Sequence, residues 1–125
     1  MALEKQVGGN HYKQFKIQPL EFAEKLGLSP AHFSAFKYAC RLPFKGKLEE
    51  DTQKMLHCLQ LGEELGCDFM LKDGDYNVYI SDFLSQFDYD HRAIVSAVLT
   101  YANGSFDYVK NITEDYLKAK RGKIK

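Results

Sequence analysis

The chain has 125 residues, 45% hydrophobic and 27% charged, and its 17 basic and 17 acidic side chains cancel to a net charge of zero. A chain of this length can bury a hydrophobic core without disulfide or metal staples, so we expect a single domain over residues 1–125. Balanced charge argues against a dedicated nucleic-acid binder, which usually carries a basic excess. No apolar run approaches the ~20 residues of a membrane helix, and residues 1–6 lack the apolar core of a signal peptide, so we expect a cytoplasmic protein without a membrane partner.

The first half of the chain predicts two short helices after a loop. Residues 6–13 are rich in turn formers, and Pro19 suits the first turn of a helix that ends at Gly27. Ser29 and Pro30 then form a strong start signal, an N-cap hydroxyl followed by proline at the first helical position. We expect the second helix to run to about residue 41, because Pro43 stops it.

A third helix is predicted over residues 47–65. Its inward stripe contains five residues at helical spacing: Leu48, Met55, Cys58, Leu59 and Gly62. A short turn joins it to the helix over residues 30–41, so the two should form an antiparallel hairpin.

The second half is also predicted to be helical. Residues 76–87 have apolar side chains at helical spacing, although residues 78–80 would also fit a short strand. Asp88 or Asp90 caps the next helix, and Ser105 caps the last one. The fold class is therefore mainly α, a compact helical domain with a central hairpin and a C-terminal helical half.

The cysteines and histidines predict no structural metal site. Three cysteines and four histidines are scattered along the chain, and no CxxC pair occurs. A disulfide framework is not expected either. Cys40 and Cys58 are predicted to be small buried apolar residues.

The zero net charge hides a segregation along the chain. Residues 67–109 carry Lys72 and Arg92 against seven aspartates, or −5, while residues 110–125 carry six basic and two acidic side chains, or +4. The basic tail, residues 118–125, is a solubilising end, an anion contact, or a segment that docks on the acidic middle of a neighbouring subunit.

Two segments predict an anion-binding site. The chain lacks a P-loop, but residues 8–13 combine flexible glycine amides with four side chains that can donate to a phosphate or stack on a base: Asn10, His11, Tyr12 and Lys13. Lys37 and Arg41 lie one turn apart on the second helix, beside Tyr38.

The third helix adds a polar face to this candidate site. Lys47, Asp51, Lys54 and His57 recur at helical spacing, and the hairpin should bring them toward Arg41. Asp51 is a general base, a magnesium ligand, or simply the partner of Lys54.

These motifs together resemble a known family. The strings at residues 9–13, 17–22, 36–41 and 45–57 are similar to the small phage-encoded family that includes the T7-type nucleotide kinase, catalogued as a phage domain of unknown function. The resemblance covers roughly residues 7–65, and residues 67–125 match nothing. Leu42, Pro43 and Phe44 depart from the more polar link usual in that family.

The resemblance implies a function and a site. It implies a phage protein that binds a nucleotide and transfers a phosphoryl group to a deoxynucleoside monophosphate. Phosphoryl transfer asks for a metal site, so Mg²⁺ is the expected cofactor, and because one chain of this size would hardly enclose two nucleotides, we expect a homo-oligomer that completes the site. With no signal-peptide core in residues 1–6, we expect this phage protein in the cytoplasm of the bacterial host. Asp51, Lys54 and Arg41 are the expected catalytic residues. The expected nucleotide-binding residues are Asn10, His11, Tyr12, Lys13, Lys37 and Tyr38. The alternative is a non-catalytic phage accessory protein that binds a nucleotide or a host protein, for example to inhibit a bacterial defence system.

Overall fold

A computed structural model describes residues 15–42 and 47–124 of the chain, with backbone alone for the last four. Helices and no strand occur within those ranges, which confirms the mainly α prediction. The helices are α1 (Pro19–Leu26), α2 (Pro30–Arg41), α3 (Leu48–Glu64), α4 (Asn77–Leu84), α5 (Tyr89–Leu99) and α6 (Phe106–Ile124). Residues 78–80 lie inside α4, so the strand alternative is wrong there. None of these helices combines the length and hydropathy that a membrane crossing requires.

Helices α2 and α3 form the predicted antiparallel hairpin, and they make the most extensive helix–helix contact of the described residues. Pro30 occupies the first turn of α2, after Ser29 in an extended conformation (φ −68°, ψ 163°). The Ser29 hydroxyl makes no capping hydrogen bond and instead lies 2.8 Å from the sulfur of Cys67. The predicted start of α2 at Pro30 is therefore confirmed, whereas the predicted N-cap hydrogen bond of Ser29 is wrong, because its hydroxyl contacts Cys67 instead.

An aromatic cluster joins α1, α2 and α4. The ring centroids of Phe22 and Phe83 lie 4.0 Å apart, and Phe36 lies 5.6 Å from each of them. All three side chains are fully buried. Stacked rings of this size dominate the energy of a small core, so they fix the position of α2 and of the residues on its outer face.

The C-terminal half covers the other side of the hairpin. Helix α5 packs on α2, and α6 packs on both α3 and α5. Two buried histidines connect α2 and α5 in a reciprocal way, because His32 of α2 donates to the carbonyl of Val98 (2.8 Å) and His91 of α5 donates to the carbonyl of Ala39. Sequence reasoning gave no role to either histidine.

The cysteines are free thiols in or near the core. Cys40 is fully buried, as predicted, and burial raises the pKa of its thiol well above the ordinary value. Cys58 is only partly buried, so its prediction is confirmed in part. No group of three His, Cys, Asp or Glu side chains that could hold a metal ion occurs among the described residues.

Candidate functional site

Four of the predicted site residues that the structure describes meet at the connected end of the α2–α3 hairpin, where α2 ends and α3 begins. We call these four, Tyr38, Arg41, Asp51 and Lys54, together with Glu50, the hairpin site. They come together because residues 38 and 41 lie on one face of α2, and residues 50, 51 and 54 lie in the first two turns of α3.

A buried ion pair lies at the centre of the hairpin site. Nη2 of Arg41 donates to Oδ1 of Asp51 at 3.1 Å, and the two side chains are only 14% and 1% exposed. The second carboxylate oxygen of Asp51, Oδ2, is buried and has no hydrogen-bond partner among the described residues. A buried carboxylate with one unused oxygen is a strong acceptor for any donor that reaches it.

Tyr38 lies against two cations. The guanidinium carbon of Arg41 is 4.6 Å from the centroid of the Tyr38 ring, and Nζ of Lys54 is 5.7 Å from it. Cations within about 6 Å of a ring centroid are attracted by the ring's quadrupole. The ring therefore fixes the guanidinium of Arg41 from one direction while Asp51 fixes it from another.

Lys54 pairs with Glu50 rather than with Asp51. Its Nζ lies 3.0 Å from Oε1 of Glu50, one helical turn earlier, and both side chains are about half exposed. The hydrogen bond and the charge of Glu50 raise the pKa of Lys54, and those of Lys54 lower the pKa of Glu50. Arg41 thus takes the place beside Asp51 that one of the sequence interpretations gave to Lys54.

Lys37 connects the hairpin site to a cavity between α1 and α2. The cavity has a volume of about 210 Å³ and is lined by Gln18, Pro19, Leu20, Phe33 and Lys37. Lys37 is exposed and lies one helical turn before Arg41 on the same face of α2. Leu20 on the cavity lining is 61% exposed. The cavity is therefore mainly apolar, with one cation at its rim.

The remaining predicted residues cannot be placed. Asn10, His11, Tyr12 and Lys13 lie outside the described residues, so the predicted approach of residues 8–13 to the hairpin stays a prediction. Mg²⁺ also stays a prediction. Among the described residues, Arg41 donates to one oxygen of Asp51, and no group of three His, Cys, Asp or Glu side chains that could hold a metal ion occurs.

Sequence reasoning missed the main feature of the hairpin site, its buried ion pair. Arg41 and Asp51 belong to different helices, and their pairing depends on how α2 packs against α3. The ion pair of Glu50 and Lys54 could be predicted from the sequence, because the two residues have the favourable i,i+4 spacing. The cavity beside Lys37 was not predicted. The one sequence signal for it is weak, a single apolar side chain, Leu20, that faces away from the core.

A family model agrees with the first half of the chain. The model is described as a protein of unknown function, DUF3310, and it matches residues 7–60. The matched region contains every predicted site residue and omits the C-terminal half. No curated protein and no solved structure gives a significant match. Over residues 7–60 the chain is similar to this family of unknown function, and nothing in the match links it to the T7-type nucleotide kinase.

Proposed function

We propose that the hairpin site and the adjoining cavity bind a nucleotide through its phosphate groups. The observation that carries the proposal is the arrangement of Arg41, which Asp51 and Tyr38 hold in one orientation at the edge of a cationic face. An arginine already fixed in this way loses little side-chain entropy when an anion binds.

The charge of this face supports an anionic ligand. Lys37, Arg41, Lys47 and Lys54 lie on or beside the hairpin site, and Lys37 and Lys47 are exposed at its edge. Three acidic side chains in the first turn of α3, Glu49, Glu50 and Asp51, compensate part of this charge, and Glu50 and Asp51 do so through one ion pair each. Lys37 forms no ion pair within the described residues, so it is the cation most available to a phosphate.

The cavity between α1 and α2 supports the other half of the ligand. Its apolar walls are formed by Pro19, Leu20 and Phe33 and suit the flat faces of a base. Lys37 lies at the rim, where it would contact the phosphate of a nucleotide whose base occupies the cavity. Sites of this kind combine an apolar lining with a few placed polar groups, and that is the composition found here.

Phosphoryl transfer to a deoxynucleoside monophosphate is the specific form of this proposal. The transfer and the phage origin draw on the resemblance to the phage family, while Mg²⁺ follows from the chemistry of the transfer and the homo-oligomer from the small size of one chain. In that form Asp51 orients the accepting phosphate or its metal, and Arg41 and Lys54 stabilise the charge of the transferred group. Asp51→Asn keeps a side-chain oxygen that can accept from Arg41, so the folded variant should still bind nucleotide at saturating concentration while transfer is abolished, which a phosphoryl-transfer assay with the full chain measures.

Calorimetric titration tests the binding proposal. Nucleoside mono- and triphosphates are titrated into the chain with and without Mg²⁺, and into two lysine variants. Lys37→Ala should weaken binding roughly tenfold, the lower end of the effect of a charge-assisted hydrogen bond. Lys110→Ala removes the same charge from an exposed position on α6 and should leave binding unchanged. Equal affinity for both variants would place the ligand elsewhere.

A second candidate function is favoured by exposed apolar side chains. Leu65, Met70, Val78 and Tyr89 are each more than 70% exposed. Apolar side chains mark a protein-binding surface where they form one contiguous patch, and an accessory protein that binds a host protein would use these four in that way. A wild-type chain that binds no nucleotide would favour this candidate over the first.

A further inference from the structure

A groove between α5 and α6 is separate from the hairpin site and has a different character. It has a volume of about 280 Å³, and Ile94, Ile112 and Tyr116 form its apolar floor together with two alanines. Asp90 and Asp115 lie at its rim, one on each helix, and both are exposed. Neither carboxylate forms an ion pair within the described residues.

The negative charge at this groove is concentrated. Burial first, and then the charges of Asp88 and Asp90, raise the pKa of Tyr116 to about 12. The centroid of the Tyr116 ring lies 5.2 Å from Nζ of Lys120 in the same chain, so this ring already contacts a cation. The groove thus presents two carboxylates, Asp90 and Asp115, the groups with which an incoming lysine or arginine side chain forms charge-assisted hydrogen bonds.

The matching positive charge begins next to the groove on the same helix. Five of the eight residues from 118 to 125 are basic, and helix α6 continues through Ile124. Neither Lys118 nor Lys120 forms an ion pair in the described part of the chain. Because the whole chain has zero net charge, two copies do not repel each other over long distances, and opposite local charges decide how they meet.

We propose that the groove binds the basic end of α6 from a second copy of this chain, in a two-fold symmetric dimer. The groove and the basic end are contiguous, so a two-fold axis beside Ala119 places each basic end on the other copy's Asp90 and Asp115. A reciprocal contact of this kind closes after two copies. The floor of Ile94 and Ile112 receives the methylene chains of the incoming lysines while the carboxylates bind their ammonium groups.

Charge reversal on each side of the contact tests the proposal with the full chain. The groove variant carries Asp90→Lys and Asp115→Lys, and the tail variant carries Lys118→Glu and Arg121→Glu. Each should be monomeric by light scattering at a concentration where the wild type is dimeric, because like charges then meet at both contacts. A mixture of the two should form a heterodimer, because each groove then meets a tail of opposite charge.

A matched control and the salt dependence complete the test. Glu24→Lys with Asp107→Lys makes the same charge change at exposed positions outside the groove and should leave the dimer intact. The dissociation constant of the wild-type dimer should rise at least about tenfold at high salt, because salt screens exposed charges. Circular dichroism of each variant establishes that it is folded. A wild type that is monomeric at low salt would overturn the proposal, and so would folded variants that remain dimeric or a mixture that stays monomeric.

Discussion

The Arg41–Asp51 pair decides the geometry of the hairpin site, and it also makes Arg41 a poor probe of ligand binding. Asp51 is 1% exposed and Arg41 is its one cationic partner among the described residues. Removing one member of a buried pair leaves the other charge without compensation. A loss of binding in an Arg41 variant would therefore reflect a damaged fold as much as a lost phosphate contact.

Arg41→Ala should destabilise the chain by about 3–5 kcal/mol, because it leaves the carboxylate of Asp51 buried and unpaired. Urea unfolding followed by circular dichroism measures this change. The double variant Arg41→Ala with Asp51→Leu should recover a large part of the loss, since no buried charge then remains. Lys54→Gln breaks the exposed pair with Glu50 and should leave the unfolding midpoint unchanged. An Arg41→Ala midpoint equal to that of the wild type would contradict the buried pair.

Phe36 is the residue on which the aromatic cluster depends. It is fully buried and its ring contacts both Phe22 and Phe83. Phe36→Ala should cost about 3–5 kcal/mol of unfolding free energy, because it leaves a cavity in a packed core. Tyr108→Ala, at a side chain that is 61% exposed, is the control and should have little effect. A small effect at Phe36 would mean that the cluster is loosely packed.

At the scale of the elements, α3 depends on a close approach at Gly62. A Cβ atom placed on Gly62 would lie 2.6 Å from Cζ of Phe69 and 3.3 Å from Cβ of Ala31. Helix propensity alone favours alanine over glycine by about 1 kcal/mol. Gly62→Ala should nevertheless lower the stability, by about 1–3 kcal/mol, because the ring of Phe69 is itself packed in the core. Gln60→Ala, on an exposed position of the same helix, controls for propensity, and a stabilised Gly62→Ala variant would contradict the approach.

The reciprocal histidines should make the contact of α2 with α5 sensitive to acid. Burial lowers the pKa of both His32 and His91 below the ordinary value of 6.5, and their hydrogen bonds to carbonyls only partly oppose it. The unfolded chain therefore binds protons that the folded chain does not. Stability is complete above about pH 6.5 and declines as the pH falls below it.

Unfolding free energies between about pH 5 and pH 8 check this prediction. The wild type should lose stability toward pH 5, and His32→Gln with His91→Gln should show a flatter profile over the same range. Glutamine retains a side-chain donor for the carbonyl of Val98 or Ala39 without gaining a proton in acid. Parallel profiles for the two proteins would assign the acid sensitivity to other groups.

Local patterns predicted the elements better than they predicted the contacts. Helix α2 begins at Pro30 and ends at Arg41, as predicted, and the apolar spacing of residues 47–65 located α3 to within a residue. The partners of Arg41, His32 and Ser29 were missed, because these contacts join residues 10, 66 and 38 positions apart and depend on how the helices pack. Periodicity shows which face of a helix is buried, and it does not show what that face meets.

At the scale of the whole molecule, the two surfaces of interest lie on different helix pairs. The hairpin site belongs to α2 and α3, inside the region that matches the family model, while the groove belongs to α5 and α6, outside it. The buried contact of α2 with α5 connects the two halves. A variant that abolishes dimerisation through the groove should therefore leave the residues of the hairpin site in place, and the two proposals can be tested separately.

The most direct test of the central claim is calorimetric titration of nucleoside mono- and triphosphates into the wild-type chain, with and without Mg²⁺, beside Lys37→Ala. The wild type should bind saturably and Lys37→Ala with an affinity roughly tenfold lower, while the two proteins unfold at the same midpoint. Absence of any binding heat from the folded wild type with every nucleotide, confirmed by an unshifted melting temperature at saturating ligand, would contradict it.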